Sequence, residues 1–287
     1  FSYDLFNNNS NIQFLPVEKR TFLSGQNFRV LNPSNHPYFT HVFDSTDEVI
    51  ITHRDRNYDK IHVSYYKDKE LLPRPVFYPE AIYPDYDLPD STFLMSFSGR
   101  VNLKLKQEGI YHFRLDTSGN DGLTLCNFGM TFPELKTPDD LLEPLAYIAT
   151  SAEMKELKSS LNKKVAVDNF WLDAAGSSQI AKNLIRIYYN RVKYANLYFT
   201  TDREGWRTDR GMVYVVYGIP NSIYKSDIEE RWVYIRKPDA ITITFTFLKD
   251  ENKLAPGSYV LMRDPSANSF WRRAVDSWRD GEVFSMD

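Results

Sequence analysis

The side chains best placed to do chemistry crowd into one stretch, Gly205-Trp206-Arg207-Thr208-Asp209-Arg210-Gly211-Met212-Val213-Tyr214-Val215-Val216-Tyr217-Gly218-Ile219-Pro220. Asp209 and Arg210, with Glu229 or Glu230 further on, could supply the polar groups of a cleft beside the Gly205–Gly211 turn. Trp206 or Trp232 would then be a stacking platform for a sugar or peptide. Two carboxylates about 5 to 9 Å apart across such a cleft can hydrolyse a glycosidic bond. A short acid between Thr and Arg at a turn usually closes a local hydrogen-bond network instead, so a structural Asp209 is the expected role. The two glycines bracket a polar turn in which Thr208 and Asp209 accept backbone N–H groups. The spacing predicts an apolar strand over Met212–Gly218, stopped by Gly218-Ile219-Pro220.

Other chemistries are removed by what is missing. All five histidines (His36, His41, His53, His62, His112) lie in the first 112 residues, and all five tryptophans (Trp171, Trp206, Trp232, Trp271, Trp278) lie at 171 or later. The second half therefore has no histidine for a Ser-His-Asp or Cys-His set or for a zinc site. The single cysteine, Cys126, excludes a disulfide scaffold and a structural Cys site, and it reads as a small buried strand residue. His62 and His112 read as sheet residues. The acidic loops Asp55-Arg56-Asn57-Tyr58-Asp59 and Asp116-Thr117-Ser118-Gly119-Asn120-Asp121-Gly122 place oxygens at alternate positions, as calcium loops do. The first lacks the glycine and distal glutamate of an EF-hand, and the second has the residues of a turn between strands. Neither glycine-rich phosphate-loop pattern is present. No cofactor and no metal is expected.

These residues need elements to hold them. Short β-branched and aromatic runs fill Phe39–Phe43, Glu48–His53, Lys60–Tyr66, Ser91–Phe97, Arg100–Lys106, Gly109–Asp116 and Leu123–Phe128. Alternation through Val101, Leu103 and Leu105, then through Tyr111, Phe113 and Leu115, predicts a hairpin over Arg100–Asp116. Residues 1–37, rich in Asn, read as an irregular arm or edge strands. Between the strand runs, Pro73, Pro75, Pro79, Pro84 and Pro89 mark a stiff connector expected to lie over the sandwich; its second reading is a partner-binding arm of polyproline type. Helix starts follow at Thr137-Pro138-Asp139-Asp140 and at Thr150-Ser151-Ala152-Glu153, a capping-box spacing. Ile180, Leu184, Ile187, Tyr188, Val192, Ala195 and Phe199 then form one apolar stripe, which predicts a helix over Ser178–Phe199. Strand-like runs at Arg231–Arg236, Ile241–Leu248 and Gly257–Met262 precede a last aromatic segment, Asn268–Trp278. The predicted architecture is two domains: an all-β, Ig-like sandwich with its arm over residues 1–136, and an α+β domain with several helices and a small antiparallel sheet over residues 137–287.

The chain has 287 residues with 35 Lys plus Arg against 38 Asp plus Glu, a formal net charge of −3, and 42% hydrophobic residues. That composition builds real cores and denies the basic footprint of a nucleic-acid binder. The charge divides mildly, net −6 in residues 1–176 and net +3 from 177 onward. Four tryptophans have an arginine directly beside them: Trp206-Arg207, Arg231-Trp232, Trp271-Arg272 and Trp278-Arg279. On strands such neighbours face opposite ways, so core and rim packing rather than stacking is expected. The chain starts at Phe1 without a signal-like segment, and an upstream segment is expected to have been removed.

Gly205-Trp206-x-Thr208-Asp209 resembles the GWxTD-domain family, whose name spells those residues. Upstream, Asp168-Asn169-Phe170-Trp171 and Asn190-Arg191-Val192-Lys193-Tyr194-Ala195-Asn196 look like the family's approach to its motif. Downstream, Asp209-Arg210-Gly211, Tyr217-Gly218-Ile219-Pro220, Arg231-Trp232-Val233-Tyr234, Phe245-Thr246-Phe247 and Gly257-Ser258-Tyr259 look like its continuation, so the resemblance covers about residues 140–285. Ile219-Pro220-Asn221 departs from the family's Pro-Pro-Asp-like end. The resemblance implies a bacterial envelope setting, with a β-rich partner domain and a secretion or lipoprotein signal, and no catalytic residues. The expected function is a non-enzymatic protein-binding component of a bacterial cell envelope, periplasmic or on the outer membrane and part of a larger membrane complex. Its partners would be other envelope proteins, not nucleic acid, and it would meet the membrane only through a lipid anchor preceding Phe1. The alternative is a carbohydrate- or peptide-binding module or hydrolase with its cleft at the Gly205–Gly211 turn. Gly205, Trp206, Thr208, Asp209, Arg210 and Trp232 are the candidate site residues under either reading.

Overall fold

The structure is a computed structural model that describes residues 27–55, 57–69, 71–117, 122–236, 241–250, 254 and 257–284. The first 26 residues of the expected arm, Arg56 of the first acidic loop and 118–121 of the second lie outside the described residues.

Among the described residues of the N-terminal half, seven strands form two antiparallel sheets. One has the order β1 (Phe28–Leu31), β2 (Val49–His53), β5 (Arg100–Leu103); the other runs β4 (Ser91–Ser96), β3 (Lys60–Tyr66), β6 (Gly109–Arg114), β7 (Leu123–Asn127). Val30, Val49 and Ile51 of the first sheet and Ile61, Val63, Phe113, Leu123 and Leu125 of the second share one buried cluster. The sequence runs placed β2 to β7 to within a few residues, but not their neighbours, and β1 falls in the stretch read as an irregular arm or edge strands. The expected hairpin over Arg100–Asp116 is not formed: Val101 pairs with Ile51 on β2, while Phe113 pairs with Val63 on β3. The turn at Gln107-Glu108 therefore crosses from one sheet to the other, and Leu105, buried in the shared cluster, lies at the crossing. Alternation reports which face is dry; a strand arching between layers keeps it dry as well as a hairpin does. Phe39–Phe43 is not a strand either. Val42 makes one isolated bridge to Cys126, and Cys126 N–H donates to the His41 carbonyl at 2.8 Å, which seals the free edge of β7.

The second half holds six α-helices among the described residues: α1 (Pro138–Leu142), α2 (Ser151–Ser159), α3 (Lys163–Ala175), α4 (Ser178–Phe199), α5 (Asp209–Tyr217) and α6 (Asn268–Arg279). Both predicted helix starts form, and each closes as a capping box, Thr137 with Asp140 and Thr150 with Glu153. A four-stranded antiparallel sheet follows in the order β11 (Tyr259–Leu261), β10 (Ile241–Lys249), β9 (Glu229–Arg236), β8 (Ser222–Lys225). All five tryptophans are buried, and Trp171, Tyr188 and Trp278 meet edge to face, with ring centroids 5.1 to 6.3 Å apart. None belongs to an exposed aromatic surface.

One expectation is overturned here and one is met only in part. The predicted strand Met212–Gly218 is helix α5. All nine residues of α5 are buried, so no polar face marks a helical period, and Val213, Val215 and Val216 imitate a buried strand. The proline-rich connector lies over the N-terminal sheets only in part: Tyr86 packs against Tyr66 of β3 with ring centroids 5.5 Å apart, but Val76 joins the core of the helical half, and the Arg74 and Val76 carbonyls accept from the Arg263 side chain (3.1 Å) and the Asp264 N–H (3.2 Å).

His112 is a sheet residue, buried on β6 with a ring nitrogen 3.0 Å from Thr124 Oγ1. Burial, helped by the nearby Arg114, pushes its pKa down to about 4. An unfolded chain takes up that proton below about pH 6.5, whereas the folded protein refuses it until about pH 4. Stability from this group is therefore intact above pH 6.5 and is lost as pH falls through 4, by about 3 kcal/mol in all. Urea denaturation at pH 7 and pH 4.5 checks this: the acid-side loss should be smaller in His112→Asn than in the parent chain.

Candidate functional site

The motif is built on two close backbone approaches. After α4, a 3₁₀ turn over Gly205–Arg207 passes so near the helix that a Cβ on Gly205 would stand 1.8 Å from the Ala195 carbonyl oxygen. α5 then crosses that turn with the same closeness, since a Cβ on Gly211 would stand 1.8 Å from the Gly205 oxygen. Only glycine fits at either place. The family-like run on α4 serves the same contact. Asn196 Oδ1 accepts the Trp206 N–H at 3.2 Å, and Arg191 donates to the Val215 and Val216 carbonyls at the end of α5. There Asn221, in place of the acid expected from the resemblance, accepts the Ile235 N–H through Oδ1 at 2.7 Å.

Each motif side chain is used inside the molecule. Trp206 is buried, its indole N–H donates to Glu204 Oε2 at 3.1 Å, and its carbonyl accepts the Tyr147 hydroxyl at 2.7 Å. Arg207 lies over the Trp206 ring at 4.9 Å, against the expectation for neighbours on a strand, because a 3₁₀ turn does not send adjacent side chains to opposite faces. Thr208 caps α5: its Oγ1 accepts the Gly211 N–H at 3.0 Å and its hydroxyl donates to the Gly205 carbonyl at 2.7 Å. Asp209 is held by four donors. Arg263 grips both carboxylate oxygens, at 2.5 and 3.1 Å, while Oδ2 also accepts the Leu261 N–H at 2.8 Å and the Tyr83 hydroxyl at 3.2 Å.

Arg210, Glu230 and Trp232 form a second buried set. The Arg210 guanidinium lies 4.3 Å from the Tyr259 ring centroid, donates to the Gly257 carbonyl at 3.0 Å and pairs with Glu230 at 3.5 Å. Glu230 Oε1 also accepts the Trp232 indole N–H at 2.6 Å. Burial pulls the Arg210 pKa down, and the charge of Glu230 raises it in opposition. Glu229 stays out of this set and pairs with Arg231 at the surface. Glu204, enclosed between Trp206 and Arg207, has its pKa pushed up by burial to about 7, although the Arg207 charge pulls the other way.

The structure thus brings the predicted residues together, but into an interior. Three surface hollows of about 520, 670 and 550 Å³ lie elsewhere, and none of the candidate residues lines them. An acid gripped by a guanidinium fork, an amide and a phenol is a structural ion pair and not a poised base. Sequence reasoning missed Arg263 and Tyr83, which are brought to Asp209 from 54 and 126 positions away, and no local signal marks either. It also missed the contact between the halves, where the Thr201 carbonyl accepts from His41 Nε2 at 3.0 Å and Cys126 Sγ at 3.5 Å. The acidic loops send Asp55 and Asp116 to one hollow, with Asn27 and His53. Among the described residues, no three His, Cys, Asp or Glu side chains are grouped as metal ligands.

A β-rich half and an α+β half, joined around a buried glycine-and-ion-pair motif, are what the geometry defines. The chain belongs to the GWxTD domain family, whose model matches residues 109–280. That match starts earlier than the resemblance over about 140–285 and takes in β6 and β7 of the four-stranded N-terminal sheet. No curated protein and no solved structure matches the chain. Among the described residues no helix is long and apolar enough to cross a membrane.

Removing one member of the buried pair strands the other. Asp209→Ala should destabilise by about 3–5 kcal/mol, while a double variant Asp209→Leu/Arg263→Met should recover most of that loss; urea midpoints of the two variants check it. Gly205→Ala should lose about 3 kcal/mol through overpacking against the α4 backbone, read as a lowered thermal midpoint with unchanged cooperativity.

Proposed function

We propose that this protein is a non-enzymatic, protein-binding component of a bacterial cell envelope, periplasmic or outer-membrane-associated and part of a larger membrane complex, with other envelope proteins as partners. It is divided into an Ig-like β-sandwich domain over residues 1–136 and an α+β domain over residues 137–287. The observation that carries this reading is the state of Asp209. The most chemically suggestive acid of the chain has both oxygens occupied by Arg263, the Leu261 N–H and Tyr83, and Arg210 is committed to Glu230 and Gly257. A motif spent wholly on cohesion supports a scaffold whose outer surface does the work. That surface offers exposed apolar side chains for contact, among them Leu161 on the α2–α3 loop and Ile219, Ile223 and Ile228 around β8.

The test is cross-linking in intact cells of the native bacterium, followed by fractionation and affinity purification. The expected result is recovery in the envelope fraction, joined to defined envelope proteins in stable ratio. Recovery as a free, soluble, uncross-linked chain would overturn the reading.

A further inference from the structure

The edges of the three sheets are treated unequally. Tyr38 N–H donates to the Val30 carbonyl along β1, the His41–Phe43 segment covers β7, and Asp209 takes the Leu261 N–H of β11. β5 carries Arg100 and β8 carries Lys225, charges that discourage another strand from pairing. β4 has none of these protections. It reads Ser91-Thr92-Phe93-Leu94-Met95-Ser96, without a charge or a proline, and among the described residues its neighbour is β3 alone. Its side chains are exposed on both faces: Leu94 is 54% exposed on the outer face, and Phe93, on the same face as the buried Val63, is 43% exposed at the margin of the core. Six uncharged residues with an open edge, Thr92 and Phe93 among them of high strand propensity, form a template for another strand.

We propose that this edge is a self-association surface: β4 of one chain pairs antiparallel with β4 of a second copy about a two-fold axis, joining two four-stranded sheets into one of eight. Antiparallel pairing of identical strands is self-complementary, which a closed dimer requires. Opposed side chains must share a face, so the axis passes through a residue rather than between two. An axis at Leu94 sets Leu94 against Leu94 on the outer face and Phe93 against Met95 twice on the inner face. An axis at Phe93 would leave Leu94 and Met95 facing the hydroxyls of Thr92 and Ser91. Charge agrees with the antiparallel sense. Exposed Asp87 and Asp90 stand just before β4, exposed Lys60 lies opposite its last residue, Ser96, and exposed Arg100 follows four residues later at the start of β5. Each acidic end meets the other copy's basic end; Lys67 and Asp59 offset one charge at each end without reversing the contrast.

Six residues a side is far below the roughly 20–30 of a standard stable interface, so the dimer is weak and reversible, with Kd in the micromolar range. Sedimentation equilibrium of the full chain over about 10–300 µM reads it. The parent chain should dimerise, and Leu94→Lys, which sets two ammonium groups together on the axis at an already exposed site, should weaken association more than tenfold with an unchanged melting temperature. Ile223→Lys on β8 should leave association intact. Mild oxidation should cross-link Leu94→Cys into a disulfide dimer, since the native Cys126 is wholly buried. A parent chain monomeric throughout that range, a dimer indifferent to Leu94→Lys or equally weakened by Ile223→Lys, or a dimer that forms only after deletion of residues 1–26 would each overturn the proposal, the last by making that segment the occupant of the edge.

Discussion

The carboxylate of Asp209 is the point at which distant parts of the chain are fastened together. Arg263 reaches it from beyond β11, the Leu261 amide from within β11, and Tyr83 from the proline-rich strap, while Asp209 itself opens α5. A buried acid demands this many donors because an uncompensated charge in the interior is costly, so the elements bearing those donors must arrive together or not at all. The same carboxylate occupies the outward amide of β11, which leaves that sheet edge closed. One acid thereby orders the helix start, the sheet end and the strap.

Around it, the glycines set distance. With Gly205 against the α4 backbone and Gly211 against Gly205, two helices and a 3₁₀ turn pack with no side chain between them. Such closeness brings α5 wholly indoors, where its capping Thr208 and the Arg191 guanidinium at its far end satisfy backbone groups that water cannot reach. The buried arginines of this region each meet an acid, an aromatic face or carbonyl oxygens, and the polar turn from Thr200 to Arg210 survives burial for that reason. The halves are coupled through the same turn, because the Thr201 carbonyl receives donors from Cys126 on β7 and from His41 in the segment beside it.

Much of the fold was legible. Strands with one wet and one dry face announced themselves by alternation, α4 by its apolar stripe, and α1 and α2 by their caps, since each of these signals is written in residues close together. The candidate residues Gly205, Trp206, Thr208, Asp209, Arg210 and Trp232 converge inside the molecule. Their partners were not legible. Trp206 and Trp232 serve as indole donors to Glu204 and Glu230 inside the core, and nothing local in the sequence points to Tyr83 or Arg263.

The sequence alone determined the family, the local starts and stops, and the exclusion of histidine- and cysteine-based chemistry from the second half. Tertiary structure alone decided that Met212–Gly218 is helix rather than strand, that β5 and β6 belong to different sheets, and that the strap packs on the helical half as well as on the N-terminal sheet. The physical reason is shared. A sequence pattern records the contrast between a segment's dry and wet faces, and it says neither which distant element covers the dry face nor, for a segment buried on every side, what period to read. Those choices were made by backbone approaches and ion pairs between residues far apart in the chain.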